Sequence, residues 1–378
     1  MPQPLRTHDD FIGSAFPRTG AAYAGPLALV ALLAAAPFTP GCASRADGIP
    51  AQPRATEQLA PVRAARLFDA MPFDTWRPLG APARFELVDA TDGGSPTLVG
   101  RGPIPANGFL ASPREFGDFR LAVSVKLGSP DNPRGDKMNS GIQIRSAEKD
   151  GTVAGLQVEV DPTKRAWSGG IYDERGRAWL ANLEGNDAAR AAFRHGEWNR
   201  YEIECIGPRI RTRVNGVACA EWFDPIVSGL LAFQVHGGPA CEVAFAAPTL
   251  EVLGAHAWMP LSEGVDPAAA PAPGAPSVWQ CAVDAATRGV RVEVGGAGQI
   301  SILDARGGVL ADVSFADGAP ALLSLAVVWL EDRGAVLLEG RRVAEFALPS
   351  PPARVRITGG ACVVRDAERL VGLALPCG

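Results

Sequence analysis

The chain has 378 residues, 47% hydrophobic and 20% charged, which is apolar enough for packed cores and long enough for two ordinary domains. Its net charge of -5 argues against a nucleic-acid partner, which would call for a basic stripe. Gly 43 and Pro 33 suit short strands cut by turns, so the expected fold class is all-β.

Residues 1–42 read as a leader. Arg6 and Arg18 precede an apolar run, Pro26 to Ala36, shorter than the roughly 20 residues of a membrane-spanning helix. Gly41-Cys42 follows and resembles a bacterial lipoprotein cleavage site with the lipid on Cys42, although Thr39 and Pro40 depart from the usual pattern. An ordinary signal peptide is the alternative. Either reading predicts an exported protein. The lipid would make it a periplasmic or cell-envelope lipoprotein, with the membrane as a partner.

Residues 43–61 are polar with scattered Pro and form a linker. A second spacer, 255–276, ends in the Pro/Ala run Asp266 to Pro276. They set apart a first domain, 62–254, and a smaller β-rich domain, 277–378. Expressed alone, residues 62–260 are expected to fold and keep any sugar binding.

The first domain is a series of alternating strands. Phe119, Leu121, Val123 and Val125 interleave with Asp118, Arg120, Ser124 and Lys126. Ile142 and Ile144 alternate with Gln143 and Arg145. Leu156, Val158 and Val160 alternate with Gln157, Glu159 and Asp161. Leu231, Phe233 and Val235 alternate with Gln234 and His236. A period of two puts each set on its own sheet face, and the apolar sets supply a sandwich core. A solvated face is the ordinary fate of the polar sets. Here they hold amides, carboxylates, a guanidinium and an imidazole, groups that make directed hydrogen bonds to hydroxyl-rich ligands. Trp167, Tyr172 and Trp179, read as loop residues, would supply flat partners for sugar C–H faces.

An ordered series of motifs carries a resemblance. Leu67-Phe68-Asp69 precedes Trp76, with Ala70 where a Gly is usual. Gly117-Asp118-Phe119-Arg120-Leu121, Asn139-Ser140-Gly141-Ile142-Gln143-Ile144-Arg145 and Gly155-Leu156-Gln157-Val158-Glu159-Val160-Asp161 follow. Then come Gly169-Gly170-Ile171-Tyr172-Asp173-Glu174-Arg175-Gly176-Arg177, Gly196-Glu197-Trp198-Asn199, Val214-Asn215-Gly216 and Phe233-Gln234-Val235-His236-Gly237. Over residues 66–253 the series resembles the 3-keto-disaccharide hydrolases, also described as 3-keto-glucoside lyases and hydratases. Many members have Glu-x-Gln where this chain has Gln157-Val-Glu159.

The resemblance implies a concanavalin-like jelly-roll β-sandwich and a 3-keto-glycoside substrate. A ketone at carbon 3 acidifies the hydrogen on carbon 2. A base removes it, the aglycone leaves carbon 1, and water adds back. Glu159, Asp161 and His236 are the candidate bases, with mutual repulsion of the two carboxylates expected to raise one pKa. Arg145 is the candidate cation for the enolate oxygen. Gln143, Gln157, Tyr172, Glu174, Arg175, Trp179 and Gln234 are the candidate substrate-binding residues. The residues fix no cofactor; Glu159, Asp161 and His236 are also a donor set for a divalent ion, which leaves a metal open. Each residue also has a plain structural role available, such as an Arg145–Glu159 salt bridge or a turn shaped by Asp161. The alternative function is a lectin-like, non-catalytic glycan-binding module. A glucanase-type pair of carboxylates is disfavoured, because Gln157 stands where one of them would be.

Besides Cys42 there are Cys205, Cys219, Cys241, Cys281, Cys362 and Cys377, spaced too widely for a zinc site; disulfides and buried thiols both stay open. From residue 277 the chain alternates again, at Val290, Val292, Val294 and at Ile300, Ile302. Val214-Asn215-Gly216…Ala220-Glu221-Trp222…His236-Gly237-Gly238 is echoed by Leu338-Glu339-Gly340…Ala344-Glu345-Phe346…Thr358-Gly359-Gly360. The second domain therefore reads as a truncated sandwich of the same type, a degenerate repeat without the polar run of the first.

Overall fold

In the computed structural model the described residues are 62–260 apart from 90–95, 129–131, 136–137 and 239–241, together with 265–267, 277–282, 289–294, 299–304, 306–314, 325–330, 333–338, 340–347, 354–358 and 368–373. The leader, Cys42 and the linker 43–61 lie outside them.

In chain order the first strands are β1 (Val62–Arg66), β2 (Arg77–Gly80), β3 (Arg84–Val88), β4 (Thr97–Arg101), β5 (Gly108–Phe116), β6 (Asp118–Leu127), β7 (Ser140–Lys149) and β8 (Thr152–Val160). β9 (Ile171–Glu174), β10 (Ala178–Ala181), β11 (Asn199–Ile206), β12 (Arg209–Val214), β13 (Val217–Phe223), β14 (Gly229–Val235) and β15 (Glu242–Pro260) follow. The second half holds β16 (Val265–Pro267), β17 (Ser277–Ala282), β18 (Gly289–Val294), β19 (Gln299–Asp304) and β20 (Val309–Ser314). It ends with β21 (Leu325–Leu330), β22 (Arg333–Leu338), β23 (Arg341–Ala347), β24 (Arg354–Thr358) and β25 (Glu368–Leu373). Among the described residues helix is confined to single turns, α1 (Leu67–Ala70) and α2 (Asp187–Arg190), and one short 3-10 turn.

The fold is the all-β sandwich read from the alternation. One sheet of seven strands runs β10-β9-β8-β7-β14-β5-β2, and a sheet of nine contains β13-β12-β11-β6-β15-β4-β3 with β1 and β25 joined to β15. Ile142, Val158 and Phe233 from the first meet Leu121, Val123 and Phe245 from the second in one core. Each such side chain contributes roughly 1.5–3 kcal/mol on burial. The opening motif belongs to this core: Trp76 stacks on Phe233 at 5.8 Å and Phe68 tilts against both. The polar face departs from expectation. β14 is buried at every residue and β8 at its last five, so both faces of these strands are dry.

The spacer 255–276 also departs from expectation where it is described, at 255–260 and 265–267; the rest of it, with most of the Pro/Ala run, lies outside the described residues. Residues 255–260 continue β15, which is 19 residues long, and pair with β25 from the far end of the chain. Val265–Pro267 pairs in parallel with β24. Extended chain beside an open strand edge gains ladder hydrogen bonds that a solvated spacer lacks. Nor does the sandwich close on itself. β22 is buried on both faces: Ala335 and Leu337, with Val328 of β21, join the first core, while Val336 and Leu338 join Val292, Ile300 and Ile302 in a second. Polar contacts reinforce the junction. Arg333 pairs with Glu221 at 2.8 Å, and Arg177 donates to the Gly340 carbonyl at 2.8 Å. Residues 62–260 alone would expose part of their core.

Candidate active site

The register of the seven-stranded sheet builds one row across five strands. Ala232 of β14 lies opposite Gln143 of β7, Gln143 opposite Gln157 of β8, Gln157 opposite Tyr172 of β9, and Tyr172 opposite Trp179 of β10. Tyr172 and Trp179 are thus strand residues rather than loop residues. In the adjoining rows Gly141 faces Glu159, Gly155 faces Glu174, and Phe109 faces Gln234.

Buried amides in this row need partners, and they find them in one another. Ser146 Oγ donates to Gln143 Oε1 at 2.7 Å, Gln143 Nε2 to Gln157 Oε1 at 2.5 Å, and Gln157 Nε2 to Glu159 Oε1 at 2.6 Å. Asn139 Nδ2 reaches Glu159 Oε2 at 3.3 Å. The carboxylate sets the direction of the chain. As an acceptor it takes the Gln157 N–H end, which leaves the Gln157 oxygen for Gln143 and the Gln143 oxygen for a hydroxyl. Gly141 makes room: a Cβ there would lie 2.2 Å from the Gln157 side chain. Glu159 itself is 4% exposed. Burial, more than the nearby charge of Asp161, pushes its carboxyl up to about 7, against the pull of the Gln157 hydrogen bond.

Asp161 has a different task. It is fully buried and its Oδ1 accepts from Thr163 N at 3.2 Å and Thr163 Oγ1 at 2.6 Å, an Asx turn that starts the loop after β8. Its Oδ2 sits 2.8 Å from Arg165 Nε. That loop folds back on the strand end, with Gly169 N donating to the Glu159 carbonyl at 2.8 Å and Glu159 N to the Gly170 carbonyl at 2.9 Å. Arg165 lies against two indoles, its guanidinium carbon 5.6 Å from the Trp167 ring and 5.4 Å from the Trp179 ring. Trp179 meets Trp167 at 4.6 Å and Tyr172 at 5.4 Å, both edge to face. The Tyr172 hydroxyl has its pKa raised, first by burial and then by Glu174 and Glu159, while Arg165 pulls it down.

Arg145 is not part of this group. A bulge interrupts the β7–β8 register between Ile144 and Ala147, and Arg145 takes φ +47°, which turns its side chain off the polar face. It is 1% exposed and donates to the carbonyls of Gly117, Gly207 and Ile226 and to Asp118 Oδ1 at 3.2 Å. His256 Nδ1 closes on the other Asp118 oxygen at 2.6 Å. The expected partner Glu159 is elsewhere, because alternation cannot foresee a bulge that resets it.

The remaining candidates divide. Glu174 accepts from Asn107 Nδ2 at 3.1 Å, its carboxyl is raised by burial, and His236 lies near enough to oppose that rise. His236 is exposed, beyond the end of β14. Arg175 turns into solvent with Asp150 at 3.5 Å. Gln234 is fully buried, and neither end of its amide has a hydrogen-bond partner among the described residues. Glu159, Asp161 and His236 do not converge as a donor set, and among the described residues no three His, Cys, Asp or Glu are placed to hold a metal. Cys205 and Cys219 are buried free thiols; the side chains of Cys241, Cys281, Cys362 and Cys377 lie outside the described residues. Sequence reasoning missed Arg165, Ser146 and the roles of Asn139 and Asn107. Lys164-Arg165-Ala166-Trp167 follows Pro162 in a loop, where no periodicity marks a face.

Residues 63–248 match a family model described as a 3-keto-alpha-glucoside-1,2-lyase-like domain. No curated protein matches the chain. Among solved structures it is similar to a carbohydrate-binding module from Bacillus subtilis, at 16% identity and a TM-score of 0.34 over 46% of this chain and 96% of that one. A galectin-like protein of unknown function from Bacillus subtilis aligns at 14% identity and a TM-score of 0.35, over 52% and 97% of the two chains.

Proposed function

Since residues 63–248 belong to the 3-keto-disaccharide hydrolase family, we propose that this carbohydrate-active chain cleaves 3-keto-glycosides by elimination and hydration, with Glu159 as the base. Glu159 takes the proton from carbon 2, and the electron pair moves into a double bond to carbon 3 as the ketone becomes an enolate. The pair then returns: the ketone reforms, a double bond joins carbons 1 and 2, and the aglycone oxygen leaves carbon 1 with its bonding electrons and picks up a proton. Water adds across the new double bond.

One observation carries this reading. Glu159 ends a buried hydrogen-bond chain with its carboxyl near 7. A base of that strength is half ionised at neutral pH and strong enough to accept a carbon acid's proton. Without the ketone the carbon-2 hydrogen is too weak an acid for any such base. Arg165, braced by Asp161 and by the two indoles, takes the place of Arg145 as the cation facing the enolate oxygen. Tyr172, kept protonated, is the neutral donor beside it. Glu174, also raised by burial, returns a proton to the aglycone. In this reading the chain works outside the cytoplasm, held to the envelope through Cys42.

Substrate carrying deuterium at carbon 2 tests the proposal. We expect a primary isotope effect, or exchange of that deuterium with water, and no release from the matching glucoside that lacks the ketone. Release with neither isotope effect nor exchange sinks the elimination. Retained sugar binding without turnover would leave a glycan-binding sandwich.

A further inference from the structure

The row that carries the site ends at β10, the last strand of its sheet, and β13 is the last strand of the facing sheet. Between these two terminal strands lies a groove of about 320 Å³. Trp179, Asn182, Ala220 and Glu221 line it, and Arg342 of β23 closes it from the second half of the chain. Its size falls within the roughly 300–1,000 Å³ of small-molecule sites. Trp179 belongs to both places, as the end of the polar row and as a wall of the groove.

The charges along the groove are already matched. Glu221 accepts Arg211 at 3.0 Å on one oxygen and Arg333 at 2.8 Å on the other. Arg342 pairs with Glu345 at 2.6 Å, donates to the Glu221 carbonyl at 3.1 Å and has its guanidinium carbon over the Trp222 ring at 4.7 Å. With the charges neutralised locally, an ionic ligand gains little here, and a neutral one loses little. Exposed Asn182 accepts from Glu184 N at 3.1 Å with its oxygen, and its N–H₂ end makes no hydrogen bond among the described residues. An indole, an amide donor and anchored guanidinium N–H groups form a set that suits a neutral polyhydroxylated ring.

We propose that this groove is a second carbohydrate subsite, which holds the sugar next to the one in the active site and so takes the aglycone side of an oligosaccharide. The assignment to the aglycone rests on the function proposed above; the binding of a neutral sugar does not. It also gives the second half of the chain a task, since Arg342 is its wall of the groove.

Titration calorimetry on the full chain tests it with maltotriose, cellotriose and methyl glucoside. At least one trisaccharide should bind about tenfold more tightly than the methyl glucoside, since an occupied groove adds hydrogen bonds to the ligand's hydroxyls. Asn182→Leu and Arg342→Ala should each collapse that ratio toward one. Asn182→Leu leaves the junction contacts of Arg342 intact, so a folding defect in the other variant does not spoil the test. If no trisaccharide outbinds the methyl glucoside, or if Asn182→Leu leaves the ratio unchanged, the subsite is refuted. Failure of 3-keto-glucoside turnover with the ratio intact would sink the proposed reaction and leave the subsite standing.

Discussion

From β7 to β15, and again from β17 to β25, the chain follows a closely similar path. Four antiparallel strands lie on one flank of a returning strand, β10-β9-β8-β7-β14 in the first region and β20-β19-β18-β17-β24 in the second. A three-stranded meander precedes that return in each, β11 to β13 and β21 to β23. The hairpins even turn alike, with Gly216 at φ +79° and Gly340 at φ +71°, a left-handed conformation that glycine takes without strain. They part in what the sheet does with its other face. On β8 the residues between Leu156, Val158 and Val160 are buried and chained to a carboxylate; on β18 the residues beside Val292 are Arg291 and Glu293, which pair with each other at the surface. A buried row of this kind is held at some expense of stability.

Several changes would break or sharpen that contrast. The largest effect belongs to Glu159→Gln. If the carboxylate is the base, turnover of a 3-keto-glucoside should fall by a factor on the order of 10²–10⁴ while binding is nearly kept. Full activity in this variant would end the contrast in function. Next comes Arg145→Met. β17 pairs with both neighbours in unbroken register, so the bulge that buries Arg145 is also particular to the first region. Removing the guanidinium takes its donors from three carbonyls and its cation from buried Asp118, which keeps His256 and the Gly207 N–H, and urea unfolding should show a loss of about 3 kcal/mol. Normal stability with slow chemistry would instead return Arg145 to the site.

The pH dependence gives a slightly smaller effect with a definite sign. Glu159 is raised in the folded state from 4.5 to about 7. Its proton therefore favours folding below pH 4.5, and that contribution, about 3 kcal/mol at most, is lost as the pH rises through 7. Activity should move oppositely, rising over the same window as the base ionises. Thermal melts of the wild type and Glu159→Gln between pH 4 and 8 should diverge toward the alkaline end; parallel curves would mean an ordinary carboxylate. The smallest effect on stability comes from Gln143→Leu with Gln157→Leu. Replacing both partners of the Gln143–Gln157 bond by apolar groups is nearly neutral in itself, but Glu159 and Ser146 each lose a partner, so stability should fall by about 1–2 kcal/mol. Turnover should drop roughly tenfold or more, and its pH midpoint should move, because Glu159 loses its strongest donor. Unfolding of this double variant would show that the row is structural after all.

Much of the site was legible. Alternation on β7, β8 and β14 placed Gln143, Gln157, Glu159 and Gln234 on one face, because a period of two survives any regular pairing. It failed at Arg145, where one bulge shifts the phase, and at Asp161, where the strand has just ended and a carboxylate before Pro162 becomes a turn. It was silent on Arg165 and Asn107, which lie in loops and owe their positions to ion pairs and hydrogen bonds with distant segments.

By itself the sequence determined the all-β class, the core residues and the motif order that identifies the family, since these depend on local period and composition. Whether a polar face stays wet, and which neighbour a cation finds, depends on what folds over it. Only the tertiary structure decided that the amides of β7 and β8 are dry and joined end to end. It also decided that β22 is shared between two cores and that the long β15 ends in a ladder with β25. A carboxylate has one pKa in water and another in a dry cleft, and that difference, which burial sets more than any neighbour does, is what lifts the Glu159 carboxyl to about 7.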